Sequence, residues 1–311
     1  MNVLVLPPVN DGHKARLEAA APGASFAYSS PADVNEAQVA AADVVFGNVP
    51  PALLGASSGL RLLQLNSAGY DKYVAEGVVP RGCALCCATG AYGQAVSEHL
   101  FTSILCLMKK LPGYRDLQRD HLWGDLGEVT TPRGANVVVL GAGDIGTHLA
   151  ELFAAMGARV TGVRRTRVEA AGPFDAMATM DDLPRLLPAA DVVCSVLPST
   201  PATCGLADAS FFSAMKPGAY FGNAGRGSLV DQPALTAALR SGHLAGAALD
   251  VCAPEPLPAD DPLWDAPNLL LTPHISGFYH LPVTLDNIVA IAAENLARLD
   301  AGEPLRNQVL L

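Results

Sequence analysis

Positive charge is scarce in this chain. Against 30 Asp and Glu stand only 20 Lys and Arg, a formal net charge of −10 at pH 7. That balance repels phosphate backbones and acidic membrane surfaces, so nucleic acid is not an expected partner. Long apolar runs are missing too. The most apolar helix candidate, Leu100 to Met108, is too short to cross a bilayer and ends in Lys109-Lys110. No basic stretch separates Met1 from Val3-Leu4-Val5-Leu6, which reads as a first strand and not as a signal peptide. A soluble cytoplasmic protein without membrane association is the expectation. Absent as well is the even, regularly spaced cysteine set of a secreted disulfide framework, since the count is seven. Cys83, Cys86 and Cys87 have the C-x-x-C form, but Cys83 to Ala88 reads as a buried strand, where free cysteine is a common core residue. No second ligand pair accompanies them, and Asp120 and Asp125 show no metal spacing, so no metal is expected. Charged residues make up only 16% and hydrophobic ones 50%, which excludes a disordered chain and points to a dense α/β interior.

The 311 residues suit two domains, each able to bury its own core. In the first part, strand candidates are Val3 to Leu6, Asp43 to Phe46, Leu62 to Leu65 and Cys83 to Cys87. Ala-rich helical stretches such as Lys14 to Ala21 and Asn35 to Ala41 lie between them, the alternation of a parallel sheet with crossover helices. From residue 137 the pattern restarts. Val137 to Leu140, Arg159 to Val163, Asp191 to Leu197, Ala219 to Gly222, Leu244 to Asp250 and Asn268 to Leu271 read as strands buried on both faces. Ala41-Ala42-Asp43-Val44-Val45 recurs as Ala189-Ala190-Asp191-Val192-Val193. Two sheets of similar plan, or chance in an Ala- and Val-rich chain, both account for this echo.

Between strand Val137 to Leu140 and an amphipathic helix from Ile145 to Met156 lies Gly141-Ala142-Gly143-Asp144-Ile145-Gly146, a G-x-G-x-x-G turn in its expected context. Gly141 permits the tight turn, Gly143 lets a pyrophosphate approach the backbone, and Gly146 lets helix and strand pack closely. The N–H groups of the helix start, with its dipole, favour phosphate charge. A nicotinamide dinucleotide is therefore the expected cofactor. An NAD-type site places a carboxylate at the end of the second strand to hold the ribose 2′-hydroxyl. Here that position reads Val163-Arg164-Arg165-Thr166-Arg167, without a carboxylate. Arg164 and Arg165 suit a 2′-phosphate by charge and by forked hydrogen bonding, so NADP is expected over NAD, with NAD possible.

Three later segments put polar residues at the carboxyl ends of strands, where open α/β sheets bind ligands. They are Phe221-Gly222-Asn223-Ala224-Gly225-Arg226-Gly227, Ala248-Leu249-Asp250-Val251-Cys252-Ala253-Pro254-Glu255-Pro256, and Leu271-Thr272-Pro273-His274-Ile275-Ser276-Gly277. Taken in this order behind the glycine turn, they make the chain resemble the D-isomer-specific 2-hydroxyacid dehydrogenase family over nearly its whole length. The resemblance implies a Rossmann cofactor domain, residues 96–283, inserted into a flavodoxin-like substrate domain, residues 1–95 and 284–311. Both would be doubly wound parallel-sheet domains, the last helix, Val283 to Ala301, returning to pack on the first. It also implies catalytic Arg226, Glu255 and His274. Around the cofactor it adds Leu197, Pro198, Thr203, Ala224, Gly225, Asp250, His274 and Gly277 to the glycine turn. Asn66-Ser67-Ala68-Gly69 resembles the loop whose N–H groups receive a substrate carboxylate, giving Ser67, Ala68 and Gly69 with Arg226 as substrate contacts.

The chemistry follows from the residue types. Reducing a 2-oxo acid needs a hydride at the carbonyl carbon and a proton on its oxygen. An imidazole such as His274 can donate that proton near neutral pH. Glu255 would orient the ring and favour its charged form. Arg226 can hold the carboxylate and stabilise charge developing on oxygen. A small 2-oxo acid of the glyoxylate or hydroxypyruvate type, reduced to the D-2-hydroxy acid, is the leading expectation. Formate dehydrogenases, similar in layout, carry Gln where this chain has Glu255. A phosphoglycerate dehydrogenase is the alternative within the class; beside it stands a non-catalytic dinucleotide-sensing protein on the same fold. The resemblance also implies a homodimer, for which helix Ala95 to Met108 is one candidate element, with burial inside one subunit the other reading. Trp264 reads as a core anchor. Tyr279 and His280 read equally as pocket lining or as the start of the last helix, and His99, His121, His148 and His243 show no partner in sequence.

Overall fold

The computed structural model describes residues 1–310. The chain divides into two compact units, one formed by Met1–Tyr92 and the chain from Tyr279 onward, the other by Gly93–Phe278. The first unit begins with β1 (Asn2–Val5), α1 (Asp11–Ala20), β2 (Ser25–Tyr28), α2 (Glu36–Ala40), β3 (Val44–Phe46), β4 (Leu62–Gln64) and β5 (Ala84–Cys86). Its strands lie parallel in the order β2-β1-β3-β4-β5, the flavodoxin-like 2-1-3-4-5 arrangement. Asparagines start both helices. Asn10 and Asn35 accept the N–H groups of His13 and Gln38, whose side chains reach back to the asparagines' own N–H.

The second unit opens with α3 (Gly93–Met108) and α4 (Leu111–Arg119). Its sheet follows as β6 (Asn136–Leu140), α5 (Asp144–Ala155), β7 (Arg159–Val163), β8 (Ala176–Ala178), α6 (Leu183–Leu186), β9 (Val192–Ser195), α7 (Ala209–Ala214), β10 (Ala219–Asn223), α8 (Gln232–Arg240), β11 (Leu244–Leu249) and β12 (Leu269–Leu271). All seven strands are parallel, in the order β8-β7-β6-β9-β10-β11-β12. Counted within the unit this is 3-2-1-4-5-6-7, a Rossmann order whose direction reverses beside its first strand. The chain then returns to the first unit as α9 (Pro282–Ala301), packed on β1, β3 and β4, and β13 (Gln308–Val309), antiparallel to β5.

Each sheet is covered on both faces, as strands with continuous apolar runs require. In β6, Val138 and Leu140 enter one core and Val137 and Val139 the other. In β1, Val3 and Val5 face α1 and α9, while Leu4 faces the opposite layer with Val45 and Leu63. Two edge strands escape a periodicity reading. β2 is mostly exposed and β8 is three residues long, so neither carries a buried apolar run.

The pentapeptide echo marks a shared device. The N–H of Asn2, which opens β1, donates to Asp43 Oδ2 at 2.6 Å, and its side-chain amide donates to the Ala41 carbonyl at 3.2 Å. Asn136, which opens β6, makes the same pair to Asp191 Oδ2 at 2.8 Å and to the Ala189 carbonyl at 3.1 Å. In both sheets an Asn on the first strand locks the turn that enters the neighbouring strand.

Several readings change in three dimensions. The division of the chain falls between Tyr92 and Gly93, at the start of α3 and three residues ahead of the expected boundary after residue 95, because α3 packs along its length against α5, β10 and β11. α3 buries Val96, Leu100, Ile104, Leu107 and Met108 within its own unit, whereas α4 buries no residue. Trp264 is no core anchor. It is 53% exposed, its indole N–H on the Pro258 carbonyl, and Leu263 beside it is the buried residue. All seven cysteines are free. Burial pushes the Cys83 thiol up to about 11 and the Cys86 thiol up to about 12, as inert core residues behave. Among the described residues no group of three or more His, Cys, Asp or Glu could hold a metal, and no helix is long and apolar enough to cross a membrane.

Candidate active site

The glycine turn joins β6 to α5 at the carboxyl edge of the second sheet. Gly141 has φ +103°, a conformation side chains resist, and a Cβ there would also crowd Val196. A Cβ on Gly146 would lie 2.0 Å from the Gly141 carbonyl oxygen, so only glycine lets helix and turn approach. At Gly143 the added carbon would meet nothing within 4 Å, leaving the backbone open to a ligand. No side chain caps the first turn of α5, which starts at Asp144, Ile145 and Gly146. Its N–H donors are thus left for an anion, and the turn fits a dinucleotide pyrophosphate.

At the end of β7 the three arginines separate. Arg167 is held by Asp182 at 2.8 Å. Capping the Thr179 N–H, with Arg167 and Arg185 alongside, keeps the Asp182 carboxyl below its ordinary value. Arg164 and Arg165 are exposed and have no carboxylate partner among the described residues. Two guanidiniums therefore stand exposed at the end of β7 without a carboxylate partner.

The remaining loops interlock through missing side chains. A Cβ on Gly225 would lie 2.4 Å from the Leu197 carbonyl oxygen, and one on Gly227 only 1.9 Å from that of Cys252. The Leu197-Pro198 loop, the Ala224–Arg226 loop and the Glu255 loop thus touch backbone to backbone. The Thr203 hydroxyl donates to the Pro198 carbonyl at 2.7 Å and pins the first of them. Asn223, fully buried, accepts the Gly225 N–H and donates to the Arg226 carbonyl at 2.9 Å. Gln232, the first residue of α8, accepts the Ala253 N–H at 2.7 Å and steadies the third loop.

His274 Nδ1 lies 2.8 Å from Glu255 Oε2, and Glu255 Oε1 accepts the Cys252 N–H at 3.1 Å. The imidazole is about half exposed, at 49%. His274 sits at φ +53°, in the left-handed region. Such a residue persists only where its surroundings dictate it, and here Asp250 does so. Its carbonyl accepts the His274 N–H at 2.7 Å. Its buried carboxylate accepts the Thr272 hydroxyl at 2.6 Å, the Ile275 and Ser276 N–H groups at 3.0 Å each, and the Ser276 hydroxyl. Asp250 thus lies beneath the loop that carries His274 through Gly277, and its oxygens are occupied by that loop.

Sequence reasoning left His99 without a partner, yet its Nε2 donates to Thr272 Oγ1 at 3.0 Å and lies 3.8 Å from Asp250. The two residues are 173 positions apart, a pairing no local pattern reveals. His148 and Asp144 pair within α5 at 3.6 Å, and His243 bonds the Phe212 and Met215 carbonyls.

In the first unit, Ser67, Ala68 and Gly69 follow β4. Their three N–H groups meet no acceptor among the described residues, while the Ser67 hydroxyl donates to the Gly69 carbonyl at 2.5 Å. Three consecutive N–H donors thus stand without an acceptor after β4 among the described residues. His280 is exposed, and Tyr279 bonds Asn66.

Comparison with known proteins places the chain in a family. Residues 101–276 match the family model for the NAD binding domain of D-isomer specific 2-hydroxyacid dehydrogenase. A crystal structure of a family protein from Aeromonas salmonicida is 34% identical, with a TM-score of 0.87 over 99% of this chain and 98% of that one. Another, from Xanthobacter autotrophicus Py2 in complex with NADPH and MES, is 31% identical, with a TM-score of 0.81 over 99% and 98%. Glyoxylate/hydroxypyruvate reductase B of Citrobacter koseri is 34% identical over 84% of this chain and 81% of its own length. The chain belongs to the D-isomer-specific 2-hydroxyacid dehydrogenase family, as an NAD(P)-dependent oxidoreductase that reduces 2-oxo acids.

Proposed function

We propose that this protein reduces a small 2-oxo acid of the glyoxylate or hydroxypyruvate type to the D-2-hydroxy acid, with NADPH preferred over NADH. The observation that carries the reading is the His274–Glu255 pair at 2.8 Å. With Nδ1 bound to the carboxylate, Nε2 is the atom left to deliver a proton to the substrate oxygen. Glu255 orients the ring through that bond. Arg226 binds the substrate and polarises its carbonyl, and the N–H groups of Ser67, Ala68 and Gly69 receive the carboxylate. When bound, the nicotinamide supplies the hydride. Gly141, Gly143 and the first turn of α5 would hold its pyrophosphate, and Leu197, Pro198, Thr203, Ala224, Gly225 and Gly277 would line its site. Asp250 contributes to cofactor binding by fixing the loop above it.

The choice of substrate class is supported by the likeness to the Citrobacter koseri reductase. Arg164 and Arg165 support NADPH, being the two guanidiniums that Asp182 does not engage. Measuring kcat/KM for glyoxylate, hydroxypyruvate and bulkier 2-oxo acids with both cofactors tests these assignments. An NADH value equal to that with NADPH would overturn the cofactor preference. Tight cofactor binding without turnover of any acid would favour a dinucleotide sensor instead.

A cytoplasmic homodimer belongs to the same proposal. α4 buries nothing, and Leu122 and Trp123 beyond it stand at 59% and 106% exposure. Such an exposed apolar stretch suits a partner subunit better than solvent. Seven free thiols suit a reducing compartment.

A further inference from the structure

The carboxylate loop is only as good a receptor as its placement. Within it the Ser67 hydroxyl bonds the Gly69 carbonyl and, at 3.3 Å, Asn48 Oδ1, and the Ser67 carbonyl accepts the Ala88 N–H at 2.8 Å, whereas Ala68 and Gly69 carry no side chain that could fix it. Asn66, the residue just before it, ties the loop to more distant parts of the unit. Asn66 and Asn48 pair reciprocally, the N–H of each donating to the other's Oδ1, at 2.6 Å for Asn48 and 3.2 Å for Asn66. This joins the carboxyl ends of β3 and β4. The side-chain amide of Asn66 then donates to the Tyr279 hydroxyl at 2.6 Å, and the Tyr92 hydroxyl donates to the Asn66 carbonyl. Every polar group of Asn66 is thereby engaged, and the carbonyl held by Tyr92 belongs to the peptide that leads into Ser67.

The two tyrosines occupy particular places in the chain. Tyr92 is the last residue of the first segment of this unit, and Tyr279 is the first residue of the returning one. Burial raises both phenols above their ordinary range, Tyr92 further through its neighbour Tyr279. Both hydroxyls therefore remain protonated at neutral pH. A buried tyrosine hydroxyl normally finds a partner, and here both find the same one.

We propose that Asn66, clamped between the hydroxyls of Tyr92 and Tyr279, is the positioning residue that sets how tightly the Ser67–Gly69 donors hold the substrate carboxylate. This rests on the reading that the loop receives that group. Asn66 touches no reacting atom. It acts through the loop, so its effect is on binding common to ground and transition states.

The test uses Tyr92→Phe, Tyr279→Phe and their double variant, each removing a single oxygen from a ring that keeps its shape. Glyoxylate KM, kcat and the Ki of oxalate are measured with saturating NADPH. Losing one hydrogen bond to the clamp raises KM and the oxalate Ki about fivefold, and the double variant raises them about twentyfold, with kcat within about twofold. A role confined to stability would lower the melting temperature and leave KM and Ki where they were, which would overturn the proposal. Ala68→Pro, which deletes one loop N–H, separates the two layers of the argument, with an unchanged NADPH Kd as the check that the fold survives. If Ala68→Pro weakens oxalate while the double variant does not, the clamp fails and the loop stands. If neither weakens it, the loop reading fails and the clamp with it.

Discussion

The two sheets of this protein are built alike and used differently. Both are parallel, and both lock the start of their first strand with an Asn on an Ala-Ala-Asp turn, Asn2 on Asp43 and Asn136 on Asp191. Both place polar loops at strand ends. In the second unit the loops present side chains, Arg226, Glu255 and His274, and glycines bring their backbones into contact. In the first unit the Ser67–Gly69 loop leaves three main-chain N–H groups without an acceptor among the described residues, and Asn66 before it is bonded by Asn48, Tyr92 and Tyr279. On the function proposed above, one sheet edge works by residue identity and the other by backbone placement.

Substitutions break that comparison most sharply in the second unit. His274→Ala is expected to lower kcat for 2-oxo acid reduction about a thousandfold, within the span of general acid catalysis, while the dissociation constant of NADPH stays within about twofold. A comparable loss of cofactor binding would mean that the residue holds the dinucleotide and not the proton. Removing both guanidiniums by Arg164→Ala and Arg165→Ala should cut the NADPH-to-NADH ratio of kcat/KM about thirtyfold, at about 1 kcal/mol for each exposed charge. An unchanged ratio would assign them to solvent. Gly146→Ala forces a carbon to within 2.0 Å of the Gly141 carbonyl oxygen. Backbone displacement there should weaken NADPH at least about tenfold and cost about 1–3 kcal/mol in urea unfolding.

The first unit is expected to respond less to losing a side chain. Ser67→Ala keeps the N–H groups, so glyoxylate KM should rise by less than about threefold. A tenfold rise would show that the hydroxyl, and not the main chain, holds the carboxylate. Smallest is Glu294→Gln on α9, where hydrogen bonds and charge from Arg306 and Arg298 hold the carboxyl below its ordinary value. A depressed carboxyl stabilises the fold above its unfolded value and ceases to do so as pH falls through the folded one. The variant should lose under about 1 kcal/mol at neutral pH, and its melting temperature should converge with the parent's in acid.

The same contrast explains what could be read in advance. The G-x-G-x-x-G turn, the buried strands from β6 onward and the succession Arg226, Glu255, His274 stand out in sequence because glycine geometry, apolar periodicity and titratable side chains are carried by particular residue types. The first unit was harder. Every residue but proline carries an N–H, so nothing in Ser67-Ala68-Gly69 distinguishes donors that are open from donors that are paired. Edge strands β2 and β8 were silent because solvent removes the apolar pattern that betrays a buried strand.

By itself, then, the sequence determined two parallel sheets, a dinucleotide turn and the side chains of a reductase, because periodicity, glycine geometry and titratable chemistry are local properties. Tertiary structure decided the pairings across long separations. His99 meets Thr272, Asp250 pins the His274 loop in a left-handed turn, Asp182 withdraws one arginine of three, and two tyrosines converge on Asn66. Each depends on loops that only the stacking of strands brings to one edge. It also moved Trp264 to the surface, since burial belongs to the packed sheet and not to the residue.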